Sequence, residues 1–280
     1  MESTCFVTFI FKANLAYFPS FLISLERQED CSFTLMVFND AVDDLDDYFK
    51  QVALNVKVVD VTGTPNQIRT KAFEYLKGTD FDFFIFGDSD DTFELNRVFQ
   101  VKKLLKEYDI VANDVNLMSE SGNCYKRNYW KNRKELNDKI DLSSIEKFNF
   151  LGLGNTAIQK HSIPNNLEFP EEVIALDWLL FSRILAEGKS AIFTTATATN
   201  YRQHDGNTVG RRTMSVVEVR RVVEVKYAHF NNMAFLLPRM KEKVIQYGSF
   251  LNEIDRYSKE EIVNRILKIE SPFWWEEIQL

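Results

Sequence analysis

Asp88, Ser89 and Asp90 follow directly on the apolar run FDFFIF (residues 81 to 86) and a single glycine. Carboxylates two residues apart at the end of a buried strand repel one another unless a cation lies between them. Mg2+ and Mn2+ take one or two carboxylates and fill their remaining positions with phosphate oxygens, so Asp-X-Asp here points to a metal that holds a phosphorylated ligand. The same residue types also favour turns and N-caps, which keeps a simple polar turn before the next helix as the alternative. Asp91 suits that capping role.

The elements that must position these carboxylates alternate along the first 113 residues. CFVTFIF (5 to 11) precedes a helical stretch ending near Arg27, FTLMVF (33 to 38) precedes a helix through DDLDDYFKQV, and VKVVDV (56 to 61) precedes QIRTKAFEYLKG. FDFFIF is then followed by the helical pattern LNRVFQVKKLLKEY and the strand-like DIVAND. Such alternation with continuous apolar strands predicts an α/β fold with a single Rossmann-like, mainly parallel sheet flanked by helices. Ligands of such sheets gather at the carboxyl ends of the strands, where Asp88 and Asp90 fall.

Residues 114 to 147 break this rhythm and read as a flexible excursion over the site. LGLGNTAIQK (151 to 160) resumes as a glycine-containing turn and a strand. PEEVIALDWLLFSRILAEGK reads as one helix, and SAIFTTA and ATNYRQH as two strands. From residue 213 the pattern turns helical and charged. The expected organisation is a catalytic domain over 1–212 and a helical C-terminal extension over 213–280, with no internal repeat.

Composition narrows the function. A hydrophobic fraction of 45% and 24 phenylalanines describe a folded chain with a substantial core. A net charge of −7 argues against the basic surface that binding of nucleic acid requires. Cys5, Cys31 and Cys124 show no CxxC spacing, which speaks against a disulfide framework or zinc cage and favours a reducing, cytoplasmic setting. The N-terminus lacks a signal-peptide pattern, and FVTFIF is too short to span a bilayer.

Taken in order, FVTFIFKANLAYFPSFLISLERQ, LMVFND, PNQIRTKAF, FFIFGDSDD, NFLGLGNTAI, ALDWLL and YRQHDGN resemble the family 2 glycosyltransferases, over about residues 5 to 210. The resemblance implies the glycosyltransferase A fold. It also implies roles for individual residues: Phe11, Asp40, Arg69, Asp88 and Ser89 at the nucleotide, and Asp88, Asp90 and His204 at the metal. Gly152, Gly154 and Trp178 would lie by the donor sugar or acceptor, and Asp177 would be the general base. A carboxylate beside apolar groups such as Trp178 has its pKa raised, which suits that task, whereas a solvent-facing helical Asp is the alternative. Two positions depart from the family pattern, with Ala13-Asn14 in place of Tyr-Asn and Thr70 in place of the Asn that follows the arginine.

The implied activity is metal-dependent (Mn2+ or Mg2+), inverting transfer of a sugar from a nucleoside diphosphate donor to a hydroxyl of a saccharide or lipid-linked glycan acceptor. UDP is the expected nucleotide. A nucleotidyltransferase is the competing enzyme class, although FKANLAYF has no glycine for a phosphate loop. A non-catalytic sugar-nucleotide-binding scaffold is the other alternative. The amphipathic RRTMSVVEVRRVVEVKYAHF and the terminal SPFWWEEIQL leave open a homodimer contact or a peripheral contact with the inner face of a membrane.

Overall fold

A computed structural model describes residues 2–133, 138–146, 148–204, 206–207, 216–258 and 261. The terminal SPFWWEEIQL and the RRTM that opens the C-terminal segment lie outside the described residues.

The strands are β1 (Thr4–Phe11), β2 (Thr34–Asp40), β3 (Val56–Val61), β4 (Phe83–Phe86), β5 (Thr92–Phe93), β6 (Ile110–Ser119), β7 (Cys124–Lys126), β8 (Lys139–Ile140), β9 (Thr156–Gln159) and β10 (Ala191–Gln203). They form one sheet in the order β3-β2-β1-β4-β9-β6-β10-β5, with β7 on β6 and β8 on β10. The helices are α1 (Phe18–Glu26), α2 (Asp46–Phe49), α3 (Pro65–Lys77), α4 (Arg97–Leu105), α5 (Tyr129–Arg133), α6 (Leu142–Ile145), α7 (Leu176–Ala186), α8 (Val216–Met233) and α9 (Lys241–Glu253).

β1 and β4 explain the apolar run that ends in the acidic turn. In β1, Cys5, Val7 and Phe9 enter one core while Phe6 and Ile10 enter the other; in β4, Phe84 and Phe86 face the first and Phe83 and Ile85 the second. Successive side chains alternate between faces, so a strand covered on both sides reads as a nearly continuous apolar run, broken in β1 only by the buried Thr4 and Thr8. Burial of each phenylalanine contributes about 1.5–3 kcal/mol, and the four residues of β4 hold the following turn against the sheet.

The sheet is mixed rather than mainly parallel. β3, β2, β1 and β4 run parallel, as do β6 and β10, but β9 is antiparallel to both β4 and β6. β9 enters from the tight 152–155 turn instead of a crossover helix, and such a return admits the antiparallel sense. β5 also pairs antiparallel with β10.

Local departures from the expected elements have simple causes. The Asp-rich segment yields only α2, because Asp43, Asp44, Asp46 and Asp47 repel along a helix and Asp44 takes φ 56°. SAIFTTA and ATNYRQH are one strand, β10, interrupted by a register shift between Thr194 and Ala198. The 114–147 run is not an open loop: it completes β6, pairs back as β7, and buries Tyr129, Trp130, Ile140 and Ile145. α7 begins only at Leu176, since Pro170 to Val173 form a turn, and this puts Asp177 in its first turn.

Val219, Val223, Phe230 and Met233 of α8 and Tyr247 and Phe250 of α9 join the same apolar core as β1 and β4. Among the described residues, no helix is long and apolar enough to cross a membrane.

Candidate active site

The carboxyl ends of β1 and β4, the 152–155 turn, the start of α7 and the end of β10 enclose a cleft of about 370 Å3. Phe11, Arg69, Asp88, Ser89, Asp90, Gly152, Gly154, Asp177, Trp178 and His204 all border it. A larger hollow of about 540 Å3, near Ser3, Lys57, Glu74 and Phe81, contains none of the residues singled out in the sequence.

Asp88 and Asp90 follow Phe86 on the turn that β4 holds in place. Burial drives the Asp88 pKa up to about 7, and the negative charges of Asp90 and Asp177 add to the shift; Arg69 and Arg97 oppose it. Asp90 Oδ2 is 2.9 Å from His204 Nε2, and both side chains are largely enclosed, 14% and 12% exposed. Gly206 donates its amide to His204 Nδ1 at 3.1 Å, so Nε2 carries the proton and donates to Asp90. Tyr17 lies over the imidazole, 4.9 Å between ring centres.

Ser89 is buried and bonded to Asn14, whose Nδ2 stands 3.2 Å from Ser89 Oγ. It ties the acidic turn to the segment after β1. Asn14 belongs to the Ala13-Asn14 pair that departs from the family pattern.

Asp91 is not a helix cap. Its side chain is buried, Oδ1 accepts the Arg202 amide at 2.8 Å, and Oδ2 has no partner among the described residues; the N-cap position of α4 is Asn96, with no side-chain cap bond. Burial, then Asp90 and Asp88, push its pKa well above the ordinary carboxylate range. The acidic turn therefore carries three carboxylates.

Arg69 is set by α3. Thr64 and Gln67 close a capping box at its start, with Pro65 in the first turn, and a cap of this kind contributes about 1 kcal/mol. Asn66 donates to the Pro170 and Val173 carbonyls at 2.6 and 2.9 Å, which docks α3 beside the turn leading to α7. The Arg69 guanidinium lies 3.3 Å from the centre of the Phe9 ring, and Phe9 stacks on Phe38. Asp177 and Asp88 are its charge partners, and burial lowers its pKa. It makes no hydrogen bond among the described residues, so its donors remain open to a ligand.

Asp177 Oδ2 accepts the Leu153 amide at 3.0 Å. Burial raises its pKa, against the opposing pull of that hydrogen bond and of Arg69. Gly152 and Gly154 flank Leu153. A Cβ on Gly152 would meet Asn155 Oδ1 at 3.2 Å, and one on Gly154 would meet Asp88 Oδ2 at 2.7 Å. Gly154 thus permits the close approach of the turn to Asp88, and Gly152 leaves room for the Asn155 side chain within the turn.

Three expected positions stand differently from the rest. Phe11 is 41% exposed and pairs in register with Asp40, but Asp40 lies outside the cleft lining. Trp178 borders the cleft with a ring that is wholly buried: Nε1 donates to the Ile145 carbonyl at 2.7 Å, and one face stacks on His229 at 3.8 Å. A ring so covered has no face left for a sugar, and its work is to join α7 to α8.

Sequence reasoning missed Arg97 and Arg202. Arg97 is wholly buried below the acidic turn, where burial brings its pKa down to about 9. Arg202 donates Nε to the Asp90 carbonyl at 2.7 Å, Nη1 to the Glu120 carbonyl at 2.7 Å and Nη2 to Ser20 Oγ at 3.0 Å. A faint signal existed for Arg97, which shares a helical face with the buried Val101 and Leu105.

Among the described residues, no three His, Cys, Asp or Glu side chains converge to hold a metal unaided. The crowded carboxylates of Asp88 and Asp90 nevertheless suit a hard divalent cation that completes its shell with phosphate oxygens.

No protein-family model matches the chain, and no curated protein matches its sequence. Solved structures do share its fold. The S. aureus TarS fragment 1-349 superposes with a TM-score of 0.61 at 18% identity, over 96% of this chain and 76% of that one. The same fragment is also known in complex with UDP-GlcNAc. The Pyrobaculum calidifontis mannosyltransferase PcManGT, in complex with GDP-Man and Mn2+, superposes at 0.59 with 14% identity, over 93% of this chain and 73% of that one. GalNAc-T7 with UDP, GalNAc and Mn2+ superposes at 0.54 with 11% identity, over 94% and 58%. The chain has a glycosyltransferase A-like fold.

Proposed function

We propose that this protein is a metal-dependent, inverting glycosyltransferase that moves a sugar from a nucleoside diphosphate donor, UDP by preference, to a hydroxyl of a saccharide or lipid-linked glycan. The observation that carries this reading is one cleft at the carboxyl edge of the sheet that gathers Asp88, Asp90, His204, Arg69 and Asp177. The fold it shares with proteins crystallised with UDP-GlcNAc and GDP-Man supports the choice of donor class.

In this reading Arg69 receives the diphosphate through its free donors, stiffened by the Phe9 ring beneath it. Asp88 and Asp90 would hold Mn2+ or Mg2+ together with diphosphate oxygens, with His204 joining the set once it turns from Asp90, and the charge of the cation would neutralise the leaving diphosphate. His204 would ligate through Nε2 as the tautomer protonated at Nδ1, giving up the bond from the Gly206 amide, and an imidazole nitrogen in the set favours Mn2+. Phe11 and Asp40 flank the nucleotide at the ends of β1 and β2. The Gly152–Asn155 turn approaches the donor sugar.

Asp177 accepts the proton of the acceptor hydroxyl, whose oxygen then bonds to the anomeric carbon. The bond from that carbon to the diphosphate oxygen breaks as its electron pair leaves with the nucleotide. A raised pKa brings the carboxylate nearer to that of the proton it must take. The Leu153 amide fixes its orientation. Residues 1–212 would form the catalytic domain and residues 213–280 a helical extension, of which α8 packs on α7 through His229 and Trp178.

Calorimetry with UDP, with and without Mn2+, and a mass-spectrometric screen of nucleotide sugars for transfer or hydrolysis test this reading. Tight UDP binding only with metal, and turnover of at least one donor, are expected. UDP binding without any turnover would indicate a scaffold, and release of pyrophosphate from a nucleoside triphosphate would indicate a nucleotidyltransferase.

A further inference from the structure

Arg97 opens α4 and lies outside the cleft lining, yet it meets two of the segments that carry the site, the end of β4 and the 152–155 turn. Its Nη2 donates to the Phe86 carbonyl at 2.6 Å and, at 3.4 Å, to the Gly154 carbonyl. Its Nε donates to Asn113 Oδ1 at 2.8 Å. The guanidinium also packs 4.5 Å from the centre of the Phe93 ring. Phe86 ends β4, two residues before Asp88. Gly154 follows Leu153, whose amide holds Asp177, and the Gly154 α-carbon abuts Asp88.

A secondary web braces the same turn. Thr199 Oγ1 donates to the Gly154 carbonyl at 2.9 Å and accepts from Asn113 Nδ2 at 3.1 Å. Asn155 Nδ2 donates to the Asn113 carbonyl at 2.8 Å, and the Asn113 amide donates to the Asn155 carbonyl at 2.9 Å.

An apolar side chain of similar volume would fill this space without a desolvated charge, and such exchanges are often neutral or stabilising. An apolar group cannot donate to carbonyls of two separate segments at once; the Arg97 guanidinium can, its Nη2 reaching both carbonyls while Nε is held by Asn113.

We propose that Arg97 is a positioning residue that sets the separation between the acidic turn and Asp177, by joining the end of β4 to the 152–155 turn through one guanidinium. The inference rests on the glycosyltransferase reading above, and it adds a residue that touches neither substrate nor metal. A bridge of this kind affects the chemical step, because an offset of about 1 Å between reacting groups costs on the order of a hundredfold in rate. It leaves donor binding at Asp88, Asp90 and Arg69 nearly intact.

The test uses the full chain carrying Arg97→Lys, which keeps the charge but loses the fork. Thermal unfolding, the Kd for UDP with Mn2+, and kcat on the nucleotide sugar that the wild type turns over are measured in wild-type and Asp177→Asn backgrounds. The expected result is a Kd within about threefold of wild type and a kcat lowered about tenfold or more. In the Asp177→Asn background the same substitution should cost less than about twofold, since the group it positions has been removed.

A folded Arg97→Lys with wild-type kcat overturns the inference. So does an equal fractional loss in both backgrounds, or a kcat loss matched by the loss in Kd. If Arg97→Lys does not fold, Thr199→Val carries the test, since it removes the second bond to the Gly154 carbonyl. A kcat lowered about fivefold at unchanged Kd supports the inference, and wild-type kcat overturns it. A wild type that neither binds UDP with Mn2+ nor turns over any donor overturns the glycosyltransferase reading and this inference with it. An active wild type with unaffected variants overturns this inference alone.

Discussion

The α-carbon of Gly154 lies against the Asp88 carboxylate, so closely that a Cβ at 154 would stand 2.7 Å from Oδ2. The atom it would strike is the mobile end of a side chain, and the fold can yield there at little cost. Gly154→Ala should therefore change the melting temperature by no more than about 4 °C, roughly 1 kcal/mol in a chain of this size. Metal-dependent UDP binding should weaken about tenfold, because Asp88 must turn away. Calorimetry on the folded variant checks this, and unchanged binding would remove Asp88 from the metal site.

Asp90→Ala and Asp177→Asn should separate binding from chemistry. Loss of Asp90 removes a carboxylate and frees His204 from its partner, so UDP should lose its dependence on Mn2+. Asp177→Asn keeps the shape and the Leu153 contact region but cannot take a proton; transfer should fall by about 10²–10⁴ with UDP affinity unchanged. Full turnover in Asp177→Asn would sink the general-base assignment.

The pH dependence of turnover follows from the direction of the Asp177 shift. The active form is the carboxylate, and burial raises its pKa, so activity should decline on acidification at a higher pH than an exposed aspartate would allow. A kcat/KM profile in saturating Mn2+ measures this limb. Relieving the burial, for example with Leu153→Ser at the neighbouring amide, should move the limb to lower pH.

The stack of Trp178 on His229 predicts an acid weakness of the C-terminal helices. Burial, aided by Lys226, depresses the His229 pKa to about 3, against about 6.5 when unfolded. The unfolded chain then binds a proton that the folded chain refuses, so this contribution to stability is intact above about pH 6.5 and declines as pH falls toward 3. His229→Phe keeps a flat ring on Trp178 and removes the titration. The melting temperature of the variant relative to wild type should rise steadily from pH 7 to pH 4, and a constant difference would contradict the assignment.

Much of the site was legible because strand ends are legible. The four residues of β4 are all apolar and buried, so the run of aspartates just after FDFFIF marks its exit at the sheet edge. Asp177 and His204 could be picked out from the order of the segments around them. Asp91 could not be read correctly: a turn aspartate before a helix and a buried carboxylate bonded to Arg202 look alike until β10 is brought across the turn. Trp178 misled for a related reason, since its cover, His229, lies 51 residues further on, at the far end of an element whose docking no local pattern specifies.

The sequence by itself determined the alternation of elements, the two-sided burial of β1 and β4, and the sheet edge at which the acidic residues emerge, all of which follow from local periodicity and chain direction. Only the tertiary structure decided that β9 returns antiparallel, that Gly154 touches Asp88, and that Arg97 spans the end of β4 and the 152–155 turn. These are contacts between segments tens of residues apart, and their energies arise from packing and burial that exist only once the sheet has closed.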